Sequence, residues 1–376
     1  MKVVLVDQIA KVNYKYSFSL ANALKNAGLD VTLVIDQKKE DEGCECKKIH
    51  WFNTDEKNIG KVSKLLNYLK SYKKIREIII QEEYRVLHTQ WLIFSPVDYY
   101  FLRRIKKESG IKLVVTIHDI LPFNQKFYDY RYHRKVYELA DEVIVQADNN
   151  VKRFDELFPQ LAGKEIMIPH GHFLDYAECV DKNEARNYLK LSHDKRIILF
   201  FGQIKKVKGV GVLLEAFAQI KTEYPEAQLV IAGSVWKDDF SQYQEIIDKY
   251  QMGESVRTDI KYIPDEEVKY YYSAADFCVL PYLDVYQSGV VQLTYAHKKP
   301  VVATKIGAFK EVVLEGQSGF LCEPNDVNSL SDALRIALKS YDRYDAMGQI
   351  GYDYIKEKYS WDKIAEKIAL LYQKKQ

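Results

Sequence analysis

The chain has 376 residues, 47% of them hydrophobic and 29% charged. This length exceeds the size at which one hydrophobic core keeps growing, so we expect two domains. The formal net charge of only +2 argues against a strongly basic protein dedicated to nucleic-acid binding. Five scattered cysteines are typical of a reducing compartment. The short apolar run at the N-terminus predicts neither a signal peptide nor a membrane span. A cytoplasmic location is therefore expected.

The N-terminal half alternates predicted strands with predicted helices. Strands are expected over residues 2–6, 31–35, 86–88, 113–117, 142–146 and 165–168. Residues 16–27 form an amphipathic pattern that ends at Gly28, typical of a helix C-terminus. The preceding segment, residues 7–15, is predicted to be a loop and lacks the glycine fingerprint of dinucleotide-binding enzymes. Asn13 and Tyr14 in this loop are candidate cleft residues, and plain loop residues are an equally good interpretation.

Two of the predicted strands end in a histidine, namely His88 and His118. Because open α/β sheets bind their ligands beyond the carboxyl ends of the strands, His118 is a candidate site residue. The alternative is a histidine that only packs in the core.

Two basic clusters occur in the same half. Residues 61–76 have the pattern of a helix with Leu65, Leu66, Leu69 and Tyr72 facing inward and basic residues around them. A second cluster occupies residues 103–107. Such a surface is either simply solvated or attracts anionic lipid headgroups, at ~1 kcal/mol per basic residue near the membrane. Both interpretations stay open at this point.

A polar stretch, residues 175–194, is predicted to link the two halves. The strand expected at residues 196–201 is followed by Gly202, Lys205 and Lys208, and then by a predicted helix over residues 212–220. This combination suits a phosphate site, because glycine permits close approach and lysine supplies positive charge. It is not a P-loop, since no Ser or Thr follows Lys208 at the required place.

Residues 277–304 have the pattern of a strand, a polar loop, a helix and a second strand. Free N–H groups at the start of this helix, around Ser288 to Val290, form a predicted anion site. Further strands are expected at residues 229–232 and 260–263, and helices at residues 264–272, 331–338 and 361–372. No Asp-x-Asp cluster stands in a suitable loop, so no metal ion is expected.

Six segments of the C-terminal half resemble the retaining GT-B glycosyltransferases of family 4, in the order of that family. They are GQIKKVKGVGVLLEAF, LVIAG, YIPDEEVKYYYSAADFCVLPY, QSGVVQLTYAHKKPVVATKIGAFKEVV, GFLCEPND and YSWDKIAEKIALLY. The N-terminal half is similar more loosely, through VVTIHDILPF, ADEVIVQADN and IPHG. The resemblance implies an α/β fold of GT-B type, with two Rossmann-like domains facing an interdomain cleft. Residues 1–176 would form the acceptor side, with residues 361–376 packing back on it, and residues 177–360 would bind the nucleotide sugar.

The resemblance also implies roles for individual residues. By position it assigns the donor diphosphate to Lys205 and Lys208 beside Gly202, the nucleobase to the backbone of Ile263, the donor sugar to His118, and sugar and phosphate to Gln287, Ser288, Gly289 and Val290. Asn13 and Tyr14 stand in place of the Gly-Gly loop that is common in the family. Two glutamates of the family pattern are missing, because Val285 and Leu293 occupy their positions. Asp284 is the candidate replacement for the first, and Gln292 and Tyr295 are candidates for the ribose contact.

The implied function is a retaining glycosyltransferase that moves a hexose from a UDP- or GDP-sugar to a glycan or lipid-linked acceptor. The expected setting is cell-surface polysaccharide or glycoconjugate assembly, in the cytoplasm or at the inner face of the cell membrane. No cofactor is expected besides the nucleotide sugar, which is a substrate. Two alternatives are a catalytically inactive partner subunit and a sugar-nucleotide epimerase, both of which keep the same fold.

Overall fold

The computed structural model describes residues 1–36, 43–52, 60–122, 124–285 and 289–374, except for the side chains of residues 10–13 and 61. The chain divides into two compact units. Unit 1 comprises Met1–Gly171 and Tyr359–Gln376, and unit 2 comprises His172–Lys358. No helix within the described ranges is both long enough and apolar enough to cross a membrane.

Unit 1 is built on a sheet of seven parallel strands. They are β1 (Lys2–Val6), β2 (Asp30–Asp36), β3 (Lys47–Phe52), β4 (Val86–Thr89), β5 (Lys112–Ile117), β6 (Glu142–Val145) and β7 (Glu165–Met167). The helices between them are α1 (Ala10–Asn26), α2 (Lys61–Gln81), α3 (Ser95–Ser109), α4 (Asp129–Leu139) and α5 (Asp148–Leu157). The strand order is β3-β2-β1-β4-β5-β6-β7. The central strands are apolar and buried on both faces, as parallel strands covered by helices are.

Unit 2 carries a second parallel sheet, of six strands. They are β8 (Arg196–Phe201), β9 (Ala227–Ala232), β10 (Val256–Asp259), β11 (Phe277–Leu280), β12 (Val301–Thr304) and β13 (Gly319–Cys322). Its helices are α6 (Lys182–Leu189), α7 (Val210–Ile220), α8 (Ser241–Lys249), α9 (Asp265–Ala274), α10 (Gly289–Ala296), α11 (Phe309–Val312), α12 (Val327–Lys339) and α13 (Tyr344–Lys358). The strand order is β10-β9-β8-β11-β12-β13.

Each sheet has one point where the strand order reverses direction. It lies between β1 and β4 in unit 1 and between β8 and β11 in unit 2. Open α/β sheets bind ligands outside the carboxyl ends of the strands at such a point. The topology therefore singles out the loops after β1 and β4, and those after β8 and β11.

The last helix, α14 (Trp361–Gln373), returns to unit 1 and packs against α1. The hydroxyl of Tyr372 lies 2.6 Å from Nδ1 of His88, whose Nε2 is 2.7 Å from the Thr116 hydroxyl. Burial lowers the pKa of His88 to about 3, so this ring stays neutral. His88 is thus a structural histidine that joins α14 to the sheet.

Two sequence-based boundaries were wrong because part of each predicted loop is helical. Helix α1 begins at Ala10 instead of residue 16, and the Asp7 carboxylate before it accepts hydrogen bonds from the Ile9 N–H at 3.0 Å and the Ser17 hydroxyl at 2.5 Å. The predicted linker contains α6, whose N-cap Asp181 accepts from two backbone N–H groups of the first turn. Arg186 of this helix binds the buried Asp276 at 2.9 Å. The polar residues of the predicted linker therefore belong to a helix with a side-chain cap and an ion pair.

Two other predictions failed because apolar residues by themselves fix neither the position of a strand nor the buried face of a helix. The strand expected at residues 260–263 is a loop, and the pairing with β9 is made by Val256–Asp259. In α2, Leu65 and Leu66 are exposed. The buried face of α2 carries Tyr68, Tyr72, Ile75 and Ile79. Both tyrosine hydroxyls donate to the buried Asp98, which gives them a polar partner inside the unit.

Candidate functional site

Polar side chains follow four neighbouring strands of the unit 1 sheet directly after their carboxyl ends. They are Asp7 after β1, Gln90 after β4, His118 after β5 and Gln146 after β6, and all are buried. Two of them, Gln90 and His118, line a cavity of about 290 Å³ together with Trp91. His118 therefore lies at the carboxyl edge of the sheet, after β5, which neighbours β4 at the point where the strand order reverses.

The His118 ring is held from three sides. It stacks on Trp91 with ring centroids 4.5 Å apart, and Tyr16 meets it edge-on at 4.9 Å. Its Nε2 lies 3.2 Å from Oε1 of Gln90. Burial, reinforced by the nearby His170 and His88 rings, lowers the pKa of His118 well below the usual histidine value. The ring is therefore neutral and fixed in orientation.

Tyr16 is the residue that sequence reasoning missed. Its ring lies 4.7 Å from His170 as well as 4.9 Å from His118. Because α1 begins at Ala10, the predicted loop residues are helical instead. The Tyr14 ring packs edge-on against Phe18 at 5.6 Å, and the Asn13 side chain lies outside the described part of the chain. Tyr16 shares the helical spacing of the apolar Leu20 and Leu24, and this pattern is the signal that could have identified it.

His170 completes the group of rings. Its Nδ1 donates to the Gly171 carbonyl at 2.6 Å, and burial lowers its pKa to about 4. The Trp361 ring lies 5.3 Å from Tyr16 and fills the space beside Gly171, where any added side-chain carbon would overlap it. Gly171 is therefore required for α14 to close against this group.

Asp7, directly after β1, is fully buried. Burial raises its pKa from 3.8 to about 7, with a further contribution from the Asp36 carboxylate, and the hydrogen bonds from Ser17 and Ile9 oppose this shift. The folded protein consequently binds the Asp7 proton more tightly than the unfolded chain does. The favourable contribution of Asp7 to the free energy of unfolding is complete below about pH 4 and is lost as the pH rises towards 7.

Replacing Asp7→Asn should therefore flatten the pH dependence of the free energy of unfolding. The parent is expected to lose up to ~1.4 kcal/mol per pH unit through this group between about pH 4 and 7, and the variant should lack that loss. Denaturant titrations at several pH values measure it, with the exposed Asp30→Asn as control. Burial also raises the pKa of Asp98 to about 6, which affects all three proteins alike. Equal slopes in the parent and in Asp7→Asn would contradict the prediction.

In unit 2 the carboxyl ends of β8 and β9 approach each other closely. Gly202 and Gly233 follow these strands with φ of +125° and +149°. A side-chain carbon at Gly233 would overlap the carbonyl oxygen of Gly202, so this approach requires glycine. A carbon at Gly202 would lie 3.7 Å from Val290 at the start of α10. The structure therefore brings Gly202 and Val290 together.

The lysine loop, residues 205–209, lies against the segment that follows β11. The Leu283 N–H donates to the Val207 carbonyl at 2.8 Å. Gly209 has φ +70°, and a side-chain carbon there would overlap the Pro281 carbonyl. The Lys208 ammonium sits 3.6 Å from the centre of the Tyr282 ring, a cation–π contact. The β8 and β11 loops thus meet at the predicted point of the sheet, with Lys208 between them.

The remaining candidate residues of unit 2 are located by their burial and by their position in the chain. Lys205 and Asp284 are half-buried, at the start of the lysine loop and after Leu283 respectively. Gly289 begins α10, where an added carbon would lie 2.8 Å from the Phe173 ring. Gln287 and Ser288 lie outside the described residues. Ile263 is buried in the loop after β10. In the sheet, β9 and β8 lie between β10 and β11.

The positions of the two missing glutamates are also resolved. Val285 is buried, and Leu293 is half-buried in α10. The Tyr295 hydroxyl lies 2.7 Å from that of Ser318, so it is engaged within unit 2. Gln292 is buried, and its Oε1 has no hydrogen-bond partner within the described ranges. Of the two candidates for the ribose contact, Gln292 is the one with an acceptor to offer.

The described residues contain no group of three His, Cys, Asp or Glu side chains that could hold a metal ion.

Two family models match the chain, one on each unit. The model described as Glycosyl transferases group 1 matches residues 181–354, and the model described as Glycosyltransferase Family 4 matches residues 15–171. The chain belongs to the group 1 glycosyltransferases. This membership confirms the predicted family and the prediction that the protein is a transferase enzyme.

Curated relatives and solved structures agree with this family. This glycosyltransferase is 25% identical over 308 residues to a D-inositol 3-phosphate glycosyltransferase of Corynebacterium urealyticum, covering 77% of this chain and 71% of that one. It is 24% identical to a lipopolysaccharide 1,2-N-acetylglucosaminetransferase of Salmonella typhimurium, covering 96% and 90%. The structure of Anabaena HepE in complex with UDP-glucose superposes with a TM-score of 0.78 at 16% identity, covering 99% of each chain. The likeness confirms the GT-B fold with two Rossmann-like sheets.

Proposed function

We propose that this glycosyltransferase moves a hexose from a UDP- or GDP-sugar to a hydroxyl of a glycan or lipid-linked acceptor, with retention of the anomeric configuration. The observation that carries the proposal is the position of the lysine loop in unit 2. It lies where the strand order reverses between β8 and β11, and Lys208 lies beside the start of the β11 loop. Support comes from the shared fold of HepE, which was solved with UDP and with UDP-glucose. The Salmonella relative, named for lipopolysaccharide, supports a role in cell-surface glycoconjugate assembly.

The donor diphosphate is assigned to the lysine loop and to the start of α10. Negative charge builds on the leaving diphosphate during transfer, and positioned cations and N–H groups stabilise it. Lys205 and Lys208 supply the cations, and Gly202 allows the phosphate to approach the backbone. N–H groups of Gly289 and Val290, together with the preceding Gln287 and Ser288, complete the site. These groups can perform the task without a metal ion.

The other donor contacts follow from burial and position. The backbone at Ile263 holds the nucleobase, and the unpartnered Gln292 oxygen accepts from a ribose hydroxyl. His118 contacts the donor sugar as a neutral, oriented ring, and Asp284 stands in for the first missing glutamate. Asn13 and Tyr14 in α1 belong to the acceptor side. The configuration of the anomeric carbon in the product, read by NMR after transfer from an α-linked donor, tests retention.

Donor binding is tested by a thermal-shift screen with UDP, GDP, ADP and their sugars. A ligand that binds only the folded protein raises the melting temperature by mass action. We expect a shift with a uridine or guanosine diphosphate and its sugar, and release of the nucleoside diphosphate when an acceptor is added. The absence of a shift with every uridine and guanosine compound would refute this donor class.

We also propose that unit 1 associates with an anionic membrane surface through α2. Apolar side chains near the start of α2 are exposed, namely Val62 at 72%, Leu66 at 51% and Leu65 at 39%. Exposed lysines follow them on the same helix: Lys70, Lys73 and Lys74. Apolar side chains that enter the headgroup region beside lysines that attract anionic lipid are typical of interfacial helices.

Co-sedimentation with vesicles tests this association. Vesicles rich in phosphatidylglycerol should retain the protein, and vesicles of phosphatidylcholine should not, because each lysine contributes ~1 kcal/mol near an anionic surface. Retention should fade as salt rises, since the field decays over ~8 Å at physiological ionic strength. Changing Lys70, Lys73 and Lys74 to Gln should abolish it. Equal recovery on both vesicle types would leave α2 as a solvated helix.

A further inference from the structure

A second concave site lies on unit 1, between α3 and α4. The groove has a volume of about 570 Å³. Its principal lining residues are Tyr99, Tyr100, Arg103 and Lys107 of α3 with Tyr132 and Lys135 of α4. None of them lines the cavity beside His118. The volume falls in the range of sites that enclose small ligands or short polymer segments.

Positive charge in this groove is not balanced by the protein. Within the described ranges, Arg103, Lys107 and Lys135 make no ion pair. The acidic residue among the lining residues is Glu108. It is already bound by Arg104 at 2.8 Å and by Arg76. The groove therefore presents three uncompensated cations, which favours a ligand with several negative charges.

The groove also presents aromatic rings at a defined spacing. The Lys135 ammonium lies 5.2 Å from the Tyr99 ring centre and 5.3 Å from that of Tyr132. The two rings are 6.0 Å apart, so the lysine is held between them. Tyr100 is 56% exposed at the groove. Sugar rings present their C–H edges to the negative face of a tyrosine, and the tyrosine hydroxyl hydrogen-bonds to sugar hydroxyls.

We propose that this groove binds a segment of an acidic glycan. Its carboxylates or phosphates pair with Arg103, Lys107 and Lys135, and its sugar rings stack on Tyr99 and Tyr100. Arg103 and Lys107 are one helical turn apart, or ~6 Å along α3, so they engage successive parts of the chain. The groove would keep an acidic acceptor polymer on unit 1 between transfers. The inference uses the family membership of the chain and is independent of the donor it takes.

The groove favours a glycan over a membrane because its cations line a concave surface between two helices. A bilayer surface cannot follow such a concavity, whereas a flexible saccharide chain can enter it. The exposed apolar residues expected at a membrane lie on α2 instead, at Val62, Leu65 and Leu66. The two surfaces can therefore be separated by mutation.

Calorimetric titration with defined oligosaccharides tests the proposal. The probes are an oligogalacturonate, which carries carboxylates, a phosphomannan oligosaccharide, which carries phosphates, and neutral maltoheptaose. At least one acidic probe should bind about tenfold or more tightly than maltoheptaose and should weaken as salt rises. Arg103→Gln with Lys107→Gln, and separately Tyr100→Ala, should each lower that affinity by about tenfold. Lys70→Gln with Lys73→Gln removes the same charge outside the groove and should leave it unchanged.

Three results would overturn the proposal. One is failure of the parent to bind either acidic probe, and another is equal affinity for maltoheptaose. The third is an equal loss in the α2 control pair, which would show only general electrostatic attraction. If the Arg103 and Lys107 pair instead loses binding to phosphatidylglycerol vesicles while no acidic probe binds, the groove is a lipid site. A thermal shift with UDP alongside absent glycan binding would refute the groove and leave the donor assignment intact.

Discussion

Replacing His118→Ala is expected to lower turnover by about 100-fold to 1,000-fold, the usual cost of removing one oriented group that stabilises developing charge. The ring is fixed by Trp91, Tyr16 and Gln90, so it meets the substrate without reorganising. The melting temperature should fall much less, because the cavity beside His118 already interrupts the packing there. Initial rates of nucleoside diphosphate release, scaled to folded protein, measure the effect.

A second buried histidine supplies the matched control. His88→Ala should lower the melting temperature, since His88 bonds both Tyr372 of α14 and Thr116 of β5, and should keep the turnover of the folded fraction. If His118→Ala instead loses stability and retains normal specific activity, the residue only packs in the core. The lowered pKa of His118 adds a check. Because the ring is already neutral, His118 should not titrate near pH 6.5. The turnover of the parent and of His118→Gln should therefore depend on pH in the same way around pH 6.5.

Replacing Lys208→Ala should weaken binding of the nucleoside diphosphate by about 10-fold to 150-fold, which corresponds to ~1.5–3 kcal/mol for a hydrogen bond to a charged group. The Lys208 ammonium is held 3.6 Å above the buried Tyr282 ring, so little side-chain freedom is lost on binding. Lys205→Ala should have a smaller effect, because Lys205 precedes the segment that packs on the β11 loop. Calorimetry with UDP and GDP measures both affinities.

Lys206 lies between the two lysines and is exposed, so Lys206→Ala removes the same charge from the same loop. We expect it to change affinity by less than either neighbour does, and only at low salt, because an exposed charge is largely screened. Unchanged affinity in both Lys208→Ala and Lys205→Ala would remove these residues from the diphosphate site. A loss in Lys206→Ala as large as in Lys208→Ala would show that only net charge matters.

The local pattern of the sequence was sufficient to predict an element where its residue types are compatible with only one kind of structure. Apolar runs such as residues 196–201 and 277–280 became buried parallel strands because a strand covered by helices on both faces must be apolar throughout. Gly202 and the lysines beyond it predicted a phosphate loop, and the structure places that loop where β8 meets β11. His118 was predicted as a site residue because it directly follows a strand, and its role stays a prediction.

Tertiary structure decided the features that depend on distant partners. Tyr16, more than Tyr14, contacts His118, because α1 starts at Ala10 and the helix fixes the direction of both side chains. Tyr68 and Tyr72 are buried while Leu65 and Leu66 are exposed, because Asp98 on a different helix offers the tyrosines a hydrogen bond.

The chain by itself therefore determined the family, the order of its strands along the sequence and the lysine loop, since these follow from residue type and short spacing. Only the folded molecule decided which rings surround His118, which side of α2 faces solvent and which cations line the groove between α3 and α4. Those outcomes depend on hydrogen bonds and packing between residues far apart in sequence, such as His88 with Tyr372. A local pattern carries no information about such partners.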